Sequence, residues 1–210
     1  NLQAAAPQDV TAAQVCQLSQ YVEERIQTTL DRAAPTAVAL GPTLSSAQLE
    51  HLARALDKRN REWREEWMDG SPEERAERRL KKLVERAEGF YGRITEVQRK
   101  QLQAQLEASA FDASVQYREV LRRQQDTLQT LRALRNGNAT EIHTQAEVRA
   151  LVARSLQSPD PAFRQYTDRV RSQACEAIAA FHNRTSASQR LRLQDTLKGY
   201  EGDVLALMRP

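Results

Sequence analysis

Apolar residues recur along this chain at three- and four-residue spacings, in runs separated by short polar or proline-containing stretches. That period belongs to helices that bury one face. The first run, Val15, Leu18, Val22, Ile26 and Leu30, predicts a helix from about Thr11 to Ala33. Pro35 to Pro42 reads as a linker, since proline is excluded from helix interiors. A second helix starts at Ser45 and carries Leu49, Leu52, Leu56, Trp63 and Trp67 to about Met68. A third follows Ser71 with Ala76, Leu80, Leu83, Val84 and Ala87, and ends near Gly89 to Gly92. Further helices are expected from Thr95 to near Ser109 and from about Ala113 to Arg135. A short one opens at Thr144 with Val148, Leu151, Val152 and Leu156. The next follows Asp160-Pro161 with Phe163, Tyr166, Val170, Ala174, Ile178 and Phe181. The last starts at Ser186 with Leu193, Leu197, Tyr200, Val204 and Leu207. Seven to eight helices with narrow apolar stripes predict an all-α fold, an elongated antiparallel bundle in a single domain spanning residues 1 to 210.

The helix starts share a phrase. Thr11 and Gln14, Ser45 and Gln48, Thr95 and Gln98, and Ser186 and Gln189 each place a hydroxyl three residues before a glutamine. Ser71 with Glu74, and Thr144 with Glu147, repeat it with glutamate. This is the capping box. The hydroxyl accepts from the N3 backbone N–H, and the N3 side chain reaches back to the N-cap N–H.

Composition narrows the function more than it reveals it. The chain has 210 residues, enough for one substantial core, with 31 basic and 28 acidic side chains and a net charge of +3. The signs are interleaved, as in Arg61-Glu62-Trp63-Arg64-Glu65-Glu66, which suits a solvated helix face rather than a nucleic-acid footprint. No apolar run is long enough to span a membrane. Asn1 to Pro7 reads as a processed start, so a targeting segment, with any anchor it carries, is expected to be missing ahead of it.

Candidate chemistry is sparse. His51, His143 and His182 lack the spacings of a di-iron or zinc helix, and no glycine-rich phosphate loop or nucleophile elbow is present. No catalytic, cofactor or metal site is expected. Cys16 and Cys175 fit neither a zinc nor a redox pair; they are either one disulfide of an exported protein or two buried thiols. Trp63, Trp67 and Met68 share one helix, where they either close the core or form a partner-binding ledge. Asn138-Ala139-Thr140 and Asn183-Arg184-Thr185 match the glycosylation sequon, and otherwise read as turn and cap residues.

The Thr/Ser-x-x-Gln phrases are similar to those of the LTxxQ-motif periplasmic proteins, which include envelope-stress sensors and small helical chaperones. Nearly the whole chain resembles an uncharacterised family of proteobacterial lipoproteins, a domain of unknown function. The resemblance is carried by Thr11-Ala12-Ala13-Gln14-Val15-Cys16, where the family has proline in place of Ala12, and by Leu44 to Leu52 and Glu85 to Ile94. It continues in Ser109-Ala110-Phe111-Asp112, Arg122 to Asp126, Ser158-Pro159-Asp160-Pro161, Cys175 and the closing Phe181 to Arg190. It implies a periplasmic protein held at the outer membrane by a lipid anchor outside this chain. It also implies a Cys16–Cys175 disulfide, since both cysteines fall in its motifs and the periplasm is oxidising. The expected role is non-catalytic binding of another envelope protein. The alternative is a chaperone-like holdase or folding factor of the LTxxQ type.

Overall fold

The computed structural model describes residues 6–136 and 140–207. They form eight α-helices and one 3-10 turn, and no strand occurs among the described residues. The helices are α1 (Ala12–Leu40), α2 (Ser46–Trp67), α3 (Pro72–Tyr91), α4 (Glu96–Glu107), α5 (Ala113–Asn136), α6 (Glu141–Leu156), α7 (Pro161–His182) and α8 (Ala187–Leu207). The all-α helical bundle expected from the periodicity is the observed fold.

Five of the six expected capping boxes form. Ser45, Ser71 and Thr95 each accept from the N3 N–H while Gln48, Glu74 and Gln98 reach back. Thr11 with Gln14 and Ser186 with Gln189 make the same pair of bonds. The sixth expectation is corrected. α6 is capped by Thr140, whose hydroxyl accepts from the His143 N–H, so the helix starts a turn earlier. Thr144 and Glu147 lie inside α6, and Thr144 is buried there. Asp112 caps α5, accepting from the Ser114 and Val115 N–H groups.

The Pro35 to Pro42 linker is also corrected. α1 runs through Pro35 to Leu40, and the 3-10 turn Gly41–Thr43 follows. Proline removes only one donor from the ladder. Ala33, Ala34, Ala37 and Ala39, the strongest helix formers, lie on either side of it. In α7 the buried face shifts after Val170. Cys175, Ala179 and His182 point inward, while Ile178 is half-exposed.

The chain divides into two compact units. The first comprises residues 1–18, 70–110 and 169–210, and the second residues 19–69 and 111–168. In the first unit Leu80, Ala87, Leu102 and Phe181 form the core, with Leu83, Val84, Tyr91, Ile94 and Leu106 packed against it. In the second unit Leu49, Leu134, Val148, Phe163 and Tyr166 are buried. The Leu134 side chain comes to 3.2 Å from where a Cβ on Gly41 would sit, so the turn after α1 is closely packed.

The first unit contains an internal repeat. The turn α3–α4, Phe90-Tyr91-Gly92-Arg93-Ile94-Thr95, and the turn α7–α8, Phe181-His182-Asn183-Arg184-Thr185-Ser186, align over their length. The alignment continues through Gln98-Arg99 and Gln189-Arg190 to Leu102-Gln103 and Leu193-Gln194. Equivalent positions meet. Tyr91 bonds His182, and Gln98 bonds Gln189, each pair separated by 91 residues.

Candidate functional site

The first unit's polar interior is built from the two repeated turns. Gln98 Oε1 accepts from the Thr95 N–H, closing its own capping box, and also from Gln189 Nε2. Gln98 Nε2 donates to Gln189 Oε1 and to the Arg184 carbonyl. Gln189 mirrors this, accepting from the Ser186 N–H and donating to the Arg93 carbonyl. Both side chains are buried. Every donor and acceptor of both amides is used, the condition under which buried amides are tolerated.

Beside this pair the second turn grips a short stretch of backbone, Pro7 to Val10, which turns at Pro7 and bends at Gln8. His182 Nε2 lies 2.8 Å from the Gln8 carbonyl, and its Nδ1 lies 3.0 Å from the Tyr91 hydroxyl. A carbonyl only accepts, so Nε2 carries a proton and donates to Gln8, while Nδ1 pairs with the Tyr91 hydroxyl. Burial pushes the Tyr91 phenol up to about 12, which keeps it protonated. The Asn183 amide pairs with Val10 at both ends, Nδ2 donating to its carbonyl and Oδ1 accepting from its N–H. Arg190 donates to the Pro7 carbonyl and to the Asp9 carboxylate. The Cys16–Cys175 disulfide lies in this same unit and links the start of α1 to α7.

The second unit holds a charged network. Glu119 is buried yet accepts from Arg122, Arg123 and Ser158. Burial pushes its carboxyl up, but these hydrogen bonds together outweigh it, and Glu119 is held below the usual carboxylate range. Arg154 grips Asp126 through two bonds of 2.9 Å and, with burial opposing and Arg122 assisting, holds that carboxyl low as well. Arg122 joins the two halves, reaching Glu119, Asp126 and the Arg154 carbonyl. α5, α6 and the turn before α7 are thereby tied together by charges that all have partners. In the same unit Asn60 and Gln124 exchange amide bonds of 2.7 and 2.9 Å between α2 and α5.

Trp63 and Trp67 are half-buried in an aromatic stack. Trp63 lies face to face with Tyr117 at 5.3 Å and beside Trp67 at 6.2 Å, and Trp67 meets Phe111 at 5.7 Å. Met68 is the C-cap of α2. The two rings expected as core or as ledge are thus engaged with α5 and the turn ahead of it.

Exposed apolar surface lies elsewhere. α1 has no buried residue along its whole length. Tyr21, Val22 and Ile26 on it are 52%, 49% and 47% exposed. The last turns of α8 present Tyr200, Val204, Leu205 and Leu207 to solvent. No group of three or more metal-ligating side chains converges among the described residues. None of their helices is long and apolar enough to cross a membrane.

A fold of this kind, helical, disulfide-linked and with two buried glutamines paired across a repeated turn, defines a class by architecture rather than by reaction. The model of a family of unknown function, DUF6279, matches residues 2–164, and the chain belongs to that family. Cys16 lies within the matched stretch, while Cys175 and the Phe181 to Arg190 turn lie beyond it. No curated protein and no solved structure matches the chain. The paired glutamines, the internal repeat and the grip on Pro7 to Val10 were not read from the sequence. The recurrence of Phe-x-x-Arg-x-x-x-x-Gln-Arg-x-x-Leu-Gln at Phe90 and Phe181 was the available signal.

Proposed function

We propose that this protein is a non-catalytic module of the bacterial cell envelope, lipid-anchored at the outer membrane in its full-length form, that docks on another envelope protein. The observation that carries the reading is the apolar face of α1, where Tyr21, Val22 and Ile26 stand about half-exposed on a helix with no fully buried residue. Exposed apolar surface of this kind marks interaction sites more often than chance. Arg25, packed 4.7 Å over the Tyr21 ring, adds a residue type favoured at interface centres. The disulfide supports the compartment, because such bonds persist in oxidising environments. A holdase role draws on the same surface together with the exposed end of α8, which lies in the other unit.

The test is photocrosslinking in cells, with a photoreactive residue replacing Val22, Ile26 or Val204 in the full-length protein. Trp63, engaged in the internal stack, serves as the control position. A single dominant envelope adduct from α1 supports the dedicated partner. Many adducts from both helices, growing under unfolding stress, support the holdase. Absence of any adduct at the α1 positions overturns the docking reading.

A further inference from the structure

We propose that the α7–α8 turn is a receptor site for a short acidic peptide segment, which the chain's own Pro7 to Val10 fills in cis. The recognition is of backbone. Three carbonyls (Pro7, Gln8 and Val10) and one N–H (Val10) are read by Arg190, His182 and Asn183. A side-chain amide bonding both the N–H and the C=O of one residue is the contact an adjacent β-strand would make, which is the mode of strand-type peptide capture. The side chains of Pro7, Gln8 and Asp9 are exposed, so the grip places few demands on sequence. Two demands remain. Ala6 is buried, which selects a small residue, and Asp9 pairs with Arg190, which selects a carboxylate three positions later.

The internal repeat acts as a control within the molecule. At the three gripping positions, His182, Asn183 and Arg190, the α3–α4 turn carries Tyr91, Gly92 and Arg99. Gly92 has no side-chain amide to offer a peptide, so the two copies differ where the segment is held. Gly92 instead takes a left-handed φ of 72° as the C-cap of α3, a conformation glycine adopts without strain. Capping and amide pairing are common to both turns, and the peptide grip is particular to the second. Nor does the segment fill its groove. An open depression of about 420 Å3 remains beside it, lined by Pro7, Thr185, Ala187, Arg190, Leu191 and Gln194. Pro7 borders this depression, and the proposal assigns the space to a larger residue at that position in a segment from another protein. This site shares no residue with the α1 face, so the two proposals fail or stand independently.

The experiment uses the full chain with its disulfide intact. Two variants vacate the site: Asp9→Lys, which sets a cation against Arg190, and replacement of Pro7 to Val10 by Gly and Ser. The probe is a capped synthetic peptide of residues Ala6 to Thr11, followed by titration calorimetry. Saturable binding is expected to the vacated variants and not to the unaltered protein. Adding Asn183→Ala or Arg190→Ala should weaken it about tenfold or more, as loss of a charge-assisted or paired hydrogen bond does. Arg99→Ala, the equivalent change in the other turn, should leave it unchanged. The proposal is overturned if the helical, disulfide-bonded Asp9→Lys protein takes up no peptide. It is equally overturned if Asn183→Ala and Arg190→Ala bind as well as Arg99→Ala.

Discussion

Gln98 and Gln189 exchange side-chain amide hydrogen bonds of 2.9 and 3.0 Å although 91 residues separate them. Each also closes the capping box of its own helix, so one pair of residues fixes two helix starts and their mutual register. Gln98→Ala and Gln189→Ala should each cost about 2–3 kcal/mol, combining a lost cap with a buried amide left short of partners. The double variant should cost less than the sum by about 1 kcal/mol or more, since the two share the interaction. Gln14 and Gln48 make the same local box on exposed surface, and their alanine variants should cost below about 1 kcal/mol. Urea unfolding of the five proteins decides the matter; equal costs for buried and exposed glutamines would refute the pairing argument.

The Cys16–Cys175 bond closes a separation of 159 residues. In the chain-entropy account such a loop contributes roughly 5 kcal/mol at most, and measured values commonly run about 2–5. The Cys16→Ser/Cys175→Ser double variant should therefore unfold at distinctly lower urea. Denatured, unreduced protein should show no thiol to an aromatic disulfide reagent. A full thiol titre would mean that the bond does not form.

Glu119 and Asp126 are both held below their ordinary values in the folded protein. A depressed folded pKa stabilises the fold above the unfolded pKa, near 4 for these groups, and that contribution disappears as pH falls through the folded value. Stability should thus be level from neutral pH down to about 5 and decline below it. Glu119→Gln should be less stable at pH 7 and show a shallower acid decline. Urea midpoints between pH 7 and pH 3 test this, and parallel declines for the two proteins would contradict it.

Thr140 and Thr144 separate a cap from an interior position. Thr140→Ala removes the hydroxyl that accepts from the His143 N–H and should cost about 1 kcal/mol. Glu147→Ala should cost only a few tenths, because Glu147 closes no box at this helix start. If Glu147→Ala proves the more damaging, the helix begins where the sequence pattern alone placed it.

That misplacement shows what was legible. Ser45, Ser71, Thr95 and Ser186 could be read as helix starts because a capping box is local: four residues contain all its chemistry. Thr144-x-x-Glu147 matches the same four-residue template better than Thr140-x-x-His143, and nothing local distinguishes them. Gly137, Asn138 and Ala139, which follow α5 and include two residues of the Asn138-Ala139-Thr140 sequon, lie outside the described residues. Pro35 reads as a breaker from its chemistry, yet the alanines around it carry α1 onward. The stripe Val22 and Ile26 signalled a buried face that the fold leaves open, since periodicity reports amphipathicity and not what covers it. The grip of His182, Asn183 and Arg190 on Pro7 to Val10 joins residues more than 170 apart, a relation no window along the chain contains.

The first unit is assembled from three separate stretches of chain and the second from two. No contiguous fragment contains the first unit without also containing all of the second. A fragment ending at residue 164, where the family match stops, would carry nearly all of the second unit. It would lack α8, the Gln189 partner of Gln98 and the Cys175 partner of Cys16. During synthesis the same holds in time: residues 1–18 and 70–110 emerge well before the stretch that completes their core, and Cys16 waits for most of the chain before it can pair. Until then Leu80, Ala87 and Leu102 have no Phe181 to close over them, so the growing chain keeps this apolar surface uncovered through most of its synthesis.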